Sequence, residues 1–277
     1  MALSSLPRRF VGVALLAALP WVAVADQWIA DPITGTTVWA QGDTPNQSIS
    51  WSGAAIDGKA HGPGVLTWID NGEIAGRFAG EMVAGKAEGV GELWLRREDG
   101  FIHYTGEIAG SIVEGVGVAL LPDGTRIEGE FVAEMMHGRV KITRPDGSSY
   151  TGQVERNESH GRGIQITAAG EKYLGEFVSG KRQGRGTLVY ANGDFYEGEF
   201  AADLPHGSGH LRTVEGGEFV GPFADGKPHG IGDIVAPTGE GTRGELIHGK
   251  PHGTFVLSAA DGTTRTEVWQ QGEKVTP

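Results

Sequence analysis

The sequence predicts an all-β fold: an elongated, single-domain, solenoid-like array of about nine β-hairpin repeats, each 23 residues long. Three observations lead to this prediction. Glycine makes up 47 of the 277 residues, whereas about 7% is usual. Glycine pairs recur at a constant interval, and strand-like segments separated by turn residues lie between them. A glycine excess indicates either low complexity or a regular structure that needs positive φ at fixed positions, so the spacing decides between the two.

A glycine after His, Glu or Gln marks each repeat, and in seven of the nine copies it begins a Gly-x-Gly motif. These glycines are separated by 27 residues, then by 26, and then six times by 23. They are Gly62, Gly89, Gly115, Gly138, Gly161, Gly184, Gly207, Gly230 and Gly253. Histidine precedes six of them, and Glu or Gln precedes the other three. Six equal intervals exclude low complexity, and we interpret the motif as a glycine-rich turn.

A second motif, of the form Tyr-x-Gly-Glu-Phe, runs ahead of the first and begins at Tyr104, Tyr150, Tyr173 and Tyr196. With the period of a strand, Tyr, Gly and Phe share one face and the acidic residues share the other. Asp-Gly and Asn-Gly pairs such as Asp123-Gly124 follow, and they are typical of primed hairpin turns. One repeat therefore reads as strand, glycine-rich turn, strand and Asp-Gly turn.

The best copy runs from Tyr173 through Gly180-Lys181, Gly184, Gly186, Leu188 and Asn192-Gly193 to Tyr196. This pattern resembles the MORN repeat (membrane occupation and recognition nexus). The resemblance covers the predicted array, residues 51–264, and only the terminal copies depart from it, as expected where a stack is capped. It implies a protein that contacts other proteins or lipid head groups.

Both ends differ from the array. Residues 1–25 are predicted to be a signal peptide, because Arg8 and Arg9 precede an apolar run that ends in Ala23-Val24-Ala25. Cleavage between Ala25 and Asp26 predicts a periplasmic or secreted protein without a membrane span, since the run is shorter than the about 20 residues that a spanning helix needs. Residues 26–50, with two tryptophans expected to be buried, are predicted to cap the first hairpin. Residues 265–277 are predicted to be a capping strand and tail.

No chemistry-bearing constellation stands out. Histidines in equivalent slots would lie about 10 Å apart, too far to share one metal ion, so we expect them to cap turns. The recurring glutamates are expected to form a solvated acidic face that protects the sheet. Cysteine is absent, and the Gly-x-Gly motifs lack the strand-to-helix context of a nucleotide loop. We therefore expect no catalytic residues, no metal and no cofactor, and no enzyme activity.

Charge is distributed unevenly. Without residues 1–25 the net charge is −14, yet residues 139–185 hold nine basic and five acidic residues, a net charge of +4. Arg139, Arg162 and Arg185 occupy one slot in successive repeats, which predicts a ladder of guanidinium groups. Lys141, Lys181 and Arg182 lie close by and complete the candidate anion- or partner-binding set. The alternative is that these arginines are ordinary solvated residues paired with glutamates.

The sequence thus predicts a non-enzymatic exported scaffold that binds a protein partner through the sheet. Binding of anionic lipid head groups, or of a linear cell-wall or acidic glycan, remains the alternative. Nucleic acid is a poor candidate because the chain is acidic. A homodimer through a terminal strand, such as the one ending at Trp269, stays open.

Overall fold

A computed structural model describes residues 27–40, 47–259 and 262–275 of the chain. Strands and the turns between them account for these residues, without a helix. The predicted signal peptide and its cleavage point after Ala25 lie outside the described residues. Contacts between residues divide the chain into two compact units, Met1–Glu158 and Ser159–Pro277, which are described in turn.

The first unit contains twelve complete strands in its described residues. They are β1 Gln27–Ala30, β2 Thr37–Ala40, β3 Gln47–Trp51, β4 Ala54–Ile56, β5 Lys59–Asp70, β6 Glu73–Val83, β7 Lys86–Arg97, β8 Gly100–Ala109, β9 Ile112–Leu120, β10 Arg126–Val132, β11 Met135–Thr143 and β12 Ser149–Glu155. From β5 to β12 each strand pairs antiparallel with the next one along the chain.

The second unit continues the same pattern. Its strands are β13 Glu158–Ile166, which starts at the last residue of the first unit, β14 Lys172–Val178, β15 Lys181–Val189, β16 Phe195–Ala201, β17 Leu204–Arg212, β18 Glu218–Ala224, β19 Lys227–Pro228, β20 Gly230–Val235, β21 Gly241–Ile247, β22 Lys250–Ser258, β23 Thr264–Gln270 and β24 Glu273–Val275. All pairings are antiparallel between sequence neighbours, with β18 pairing both β19 and β20. The predicted all-β array of hairpin repeats is confirmed.

The two turns of each repeat differ from the prediction. The Gly-x-Gly motif does not form a turn, because it lies inside a strand such as β15. The tight turn comes earlier, where two consecutive residues have positive φ, for example Ala202 (φ 48°) and Asp203 (φ 77°). That is the primed geometry that two-residue hairpins require. At Asp123-Gly124 only the glycine has positive φ (84°), so this turn is not primed, although Asn71-Gly72 is primed as predicted.

The Gly-x-Gly motif instead forms a β-bulge. Between β14 and β15, Gly175 pairs with Gly186, but the next residue, Glu176, pairs with Gln183, so β15 carries two extra residues. The first glycine of the motif, Gly184, has a φ of +67°, which an L side chain rarely adopts. The same register shift recurs between β10 and β11 and between β16 and β17. Glycine is therefore required here by a bulge rather than by a turn.

The core of the second unit is a continuous run of aromatic rings on the inner face of the sheet. Tyr173 packs edge-on against Phe177 and Phe200, at centroid distances of 5.1 and 4.9 Å, and Tyr196 packs in the same way against Phe200 and Phe223. Each tyrosine is essentially inaccessible, and its hydroxyl donates to a backbone oxygen three residues later, such as that of Glu176. Each repeat therefore supplies rings that its neighbour also uses.

The N-terminal hairpin, formed by β1 and β2, is hydrogen-bonded to the primed turns at Gly58 and Gly85. The Trp39 amide donates to the carbonyl of Gly85, and the Thr37 amide donates to that of Gly58. Trp39 is buried, but Trp28 is 46% exposed, so the expectation that both tryptophans are buried is wrong for Trp28. The ring of Trp28 instead lies over Gly85, and the ammonium group of Lys59 lies over the face of this ring. Part of the ring therefore stays in solvent.

Candidate functional site

The bulge determines which side chain each repeat presents outward. Arg185 is one of the two extra residues of β15, so it has no register partner in β14 and faces only Glu199 of β16. Its neighbours on the strand, Gly184 and Gly186, carry no side chain that would cover it. Bulges commonly redirect one side chain in this way. Arg185 is accordingly exposed.

Arg139 has the corresponding place in the first unit. It follows the bulge glycine of β11, it is exposed, and its cross-strand neighbour in β12 is Gln153 rather than a carboxylate. Neither Arg139 nor Arg185 has an ion pair with any residue that the structure describes. Arg162, in the same slot of β13, is exposed and lies opposite Glu176.

The recurring glutamates have a structural role at the bulges. Oε1 of Glu130 accepts the backbone N–H of Arg139 at 3.3 Å. Glu107 does the same for Val116, nine residues on, and Glu199 for Ser208. The expectation of a merely solvated acidic face is therefore incomplete, because these carboxylates hold the bulges. The fixed nine-residue spacing between the glutamate and the bulge was the sequence signal for this role.

The remaining basic candidates differ from one another. Lys141 lies 4.0 Å from the carboxylate of Glu128. Lys181 is exposed at the start of β15, opposite Val178. Arg182 is the exception, because it is only 9% exposed and points to the inner face. The six candidates thus do not form one surface.

In the second unit the exposed arginines border an apolar strip on the outer face. Ile164 of β13 and Leu174 of β14 are directly opposite each other in the register, and they are 46% and 56% exposed. Arg162 lies two residues from Ile164 on the same strand face, and Arg185 lies on the next strand. We call Arg162, Ile164, Leu174 and Arg185 the outer patch. Aliphatic and guanidinium groups side by side are typical of protein-binding surfaces.

In several repeats, the residue that precedes the bulge glycine caps the next primed turn. Oε1 of Glu88 accepts the N–H of Gly110 at 2.9 Å, and Oε1 of Gln183 accepts that of Ala202 at 3.1 Å. His229 does so through Nδ1, which accepts the N–H of His248. This is the turn-capping role expected of the slot. Within the described ranges no three His, Asp or Glu side chains are placed to hold a metal ion.

A shallow depression lies beside the turn at Asn71, lined by Asp70, Glu73 and Arg96, but Arg96 is already ion-paired with Glu73. In the part of the chain that the structure describes, there is no helix that is both long and apolar enough to cross a bilayer.

Comparisons with known proteins agree with the repeat pattern. The MORN repeat profile matches residues 56–73, 150–171, 173–195, 196–218 and 219–240. No curated protein matches the sequence significantly.

Among solved structures, the chain is similar to the TCP domain of SAS-4 from Drosophila melanogaster, in complex with a proline-rich motif of Ana2. The identity is 11% and the TM-score 0.31, over 64% of this chain and 83% of that one. It is also similar to a streptogramin B lyase, with 13% identity and a TM-score of 0.15, over 81% of this chain and 88% of that one.

Proposed function

The chain is a MORN-repeat protein, and on that basis we propose that it is a non-enzymatic scaffold that binds a protein partner through the outer patch of its second unit. The observation that carries the proposal is the exposed Ile164–Leu174 pair beside Arg185, which is not ion-paired within the described residues. The partner surface that fits is aliphatic and flanked by carboxylates.

Physical chemistry supports a protein partner over a bilayer or a nucleic acid. Covering a solvent-exposed cross-strand aliphatic pair with a partner surface stabilises the complex, because apolar area is removed from water. Arginine is enriched at such interfaces because its guanidinium plane can pack against apolar groups and still bind a carboxylate. The net charge of −12 opposes long-range attraction to anionic membranes and to nucleic acids.

The test uses a matched pair of variants. A partner is first captured from envelope extract and purified. We expect Leu174→Ser combined with Arg185→Ser to weaken its binding at least about tenfold, since a buried apolar contact and a charged hydrogen bond are both lost. Val220→Ser is the control, because Val220 occupies the slot of Leu174 in a later repeat and is 48% exposed. Equal binding by the double variant and the control would contradict the proposal.

A second candidate is a linear anionic polymer, such as an acidic glycan or a row of lipid phosphates. It is favoured by the recurrence of exposed arginine in one slot of the repeat, at Arg162 and Arg185 within the second unit. Replacing both by serine, which Ser208 shows to be compatible with the slot, should weaken binding to acidic glycans or anionic liposomes. Such binding should also weaken steeply with salt, whereas docking at the apolar pair should not.

We also propose that the protein is exported and works in the periplasm or outside the cell, with Asp26 as its first mature residue. The motif Ala23-Val24-Ala25 after a short apolar run supports this. Intact-mass measurement of the exported protein is the test, and a mass that includes residues 1–25 would contradict it.

A further inference from the structure

Among the described residues, Arg182 is the one buried charged side chain in a row of equivalent positions in the second unit. The row consists of the second residue of each strand that follows a primed turn: Ser159, Arg182, Pro205, Pro228, Pro251 and, exposed near the C-terminus, Lys274. Its neighbour across the inner face is also unusual. Gln165 occupies the position that Leu188 and Leu211 have in the next two repeats. Two polar residues thus replace apolar ones at a single place in the core.

Arg182 and Gln165 contact each other there. Nε of Arg182 donates to Oε1 of Gln165 at 3.0 Å, and Cζ of the guanidinium lies 5.0 Å from the centroid of the Tyr173 ring. Burial lowers the pKa of Arg182, and the nearby carboxylates of Glu171 and Asp203 offset that effect only in part. The guanidinium is therefore held in an environment that disfavours its charge.

No carboxylate of the described chain completes the site. Arg182 forms no ion pair there, and Oδ1 of Asp203 is used to accept the backbone N–H of Arg182 at 2.8 Å. Its two terminal nitrogens, Nη1 and Nη2, have no hydrogen-bond partner among these residues. They are nevertheless not sealed in, because within the described ranges only Nε2 of His103 is both fully buried and without a partner. A buried, unpaired charge is costly unless a counter-ion is supplied.

We propose that Arg182 is an inner-face receptor for a single carboxylate, which binds the Nη1–Nη2 edge of the guanidinium. A planar fork of two N–H donors matches a carboxylate in bidentate geometry. The two nearby acidic residues, Glu171 and Asp203, favour a monoanion over a doubly charged phosphate, since like charges repel. This site is on the opposite face of the sheet from the outer patch and does not depend on the proposed docking there.

The first test measures the stability of the protein in the absence of a carboxylate ligand. Arg182→Met keeps the length of the side chain and removes the charge, as Met136 does in the corresponding slot of an earlier repeat. If the guanidinium awaits a counter-ion, the variant should unfold at the same or a higher urea concentration than the wild type in carboxylate-free buffer. A variant that is clearly less stable under these conditions would show that Arg182 is a structural residue and would overturn the proposal.

Titration with sodium acetate is the second test. The urea midpoint of the wild type should rise with acetate concentration, because a ligand that binds only the folded state stabilises it. Arg182→Met should lose at least about tenfold in acetate affinity, measured by calorimetry, as expected when a charged hydrogen bond is removed. Arg212→Met, which changes an exposed arginine of β17 outside the proposed binding surfaces, should respond like the wild type. Equal acetate effects in wild type and Arg182→Met would overturn the proposal.

Two further arms complete the design. Should Arg182→Met fail to fold, Gln165→Leu combined with Arg182→Met restores an apolar pair and is measured in its place.

A short peptide with one glutamate is compared with acetate and with inorganic phosphate. Tighter binding of the peptide identifies a polypeptide side chain as the source of the carboxylate, and equal binding identifies a small free acid. Tighter binding of phosphate would overturn the preference for a monoanion.

Discussion

At the scale of single residues, the fold depends on glycines that make room for rings. The ring of Tyr173 fills the space above Gly175 and Gly186, which are opposite each other on neighbouring strands. A Cβ atom added at Gly186 would lie 2.6 Å from the Tyr173 hydroxyl oxygen and 2.6 Å from Cε2 of the same ring. The ring is fully buried and cannot move aside. Glycine is therefore dictated at this position by packing, not by φ.

We expect Gly186→Ala to lower the free energy of unfolding by about 1–3 kcal/mol, the usual cost of overpacking a closed core. Gly241→Ala is the control, because Gly241 also lies in a strand but has open space around its Cα and no positive φ. That substitution should change stability by less than about 1 kcal/mol. Urea unfolding of the two variants measures the difference, and similar losses would contradict the packing account.

Some of these residue-level contacts were predictable from the sequence, and others were not. The alternation along the strand predicted that Tyr, Gly and Phe share one face, and Tyr173 and Phe177 are both buried on one face of β14. The hydrogen bond from the amide of Arg139 to the carboxylate of Glu130 was not predicted, because the alternation of residues does not reveal the bulge on which it depends and only the nine-residue spacing pointed to it. Burial of Arg182 was not predicted either, although Arg182 pairs in the register with the buried Phe177.

At the scale of the element, the primed turns are joined to the preceding repeat by side chains. In the first unit, Oδ1 of Asn157 accepts the backbone N–H of Met136 at 2.8 Å, and Asn157 has a φ of +70°. Glycine fills the equivalent place in several other turns, such as Gly180. The turn residue therefore satisfies two separate demands, a left-handed backbone and a hydrogen bond to the neighbouring hairpin.

Substitutions at Asn157 should separate these demands. Asn157→Gly loses the hydrogen bond but relieves the backbone, so we expect a loss of about 1 kcal/mol or less. Asn157→Ala loses the same bond and keeps the unfavourable φ, which adds about 1–2 kcal/mol. Chemical denaturation should place the alanine variant clearly below the glycine variant. The reverse order would show that the turn tolerates β-carbons and that only the hydrogen bond matters.

The 23-residue interval predicted the hairpins, but it assigned the glycine motif to the wrong part of each hairpin. Gly-x-Gly is equally consistent with a tight turn and with a bulge, since both need positive φ at a glycine. Some of the actual turns, such as Asp225-Gly226, carry the Asp-Gly signal of a primed turn, whereas Ala133-Glu134 carries no turn signal. At Ala133-Glu134, local preference therefore does not account for the position of the turn.

At the scale of the whole molecule, the buried tyrosines make stability sensitive to alkaline pH. Burial raises the pKa of Tyr104 and of Tyr173 to about 12, and it raises the pKa of Tyr150 and Tyr196 as well. In the unfolded chain these groups titrate near 10. The unfolded state thus loses protons first as pH rises, so the stabilising contribution is complete below pH 10 and is lost toward pH 12.

We therefore expect the urea midpoint to fall between about pH 10 and 12, together with a delayed phenolate absorbance. Tyr173→Phe should reduce the steepness of that fall, and Phe219 shows that the slot accepts a ring without a hydroxyl. Phenolate formation near the ordinary value of about 10, without unfolding, would contradict the burial account.

Removal of one complete repeat tests whether the second unit is built from interchangeable parts. Residues 196–218 form one 23-residue segment matched by the repeat profile. Their removal would bring Tyr173 against Phe223 in place of Phe200. The two ring contacts are equivalent, because Tyr173–Phe200 and Tyr196–Phe223 have centroid distances of 4.9 and 4.8 Å. The phase of every later strand is preserved.

The shortened protein should fold, keep its β-type circular dichroism, and lose stability roughly in proportion to the repeat removed, because each hairpin contacts only its neighbours. It should also keep partner binding, since Leu174 and Arg185 lie outside the deleted segment. Removal of residues 196–206 alone is the control. This deletion removes most of β16 and only the first part of β17. Because it reverses the direction in which the remaining strands must pair, it should prevent folding of this unit. If both deletions fold equally well, or if neither does, the hairpin is not the unit from which the array is built.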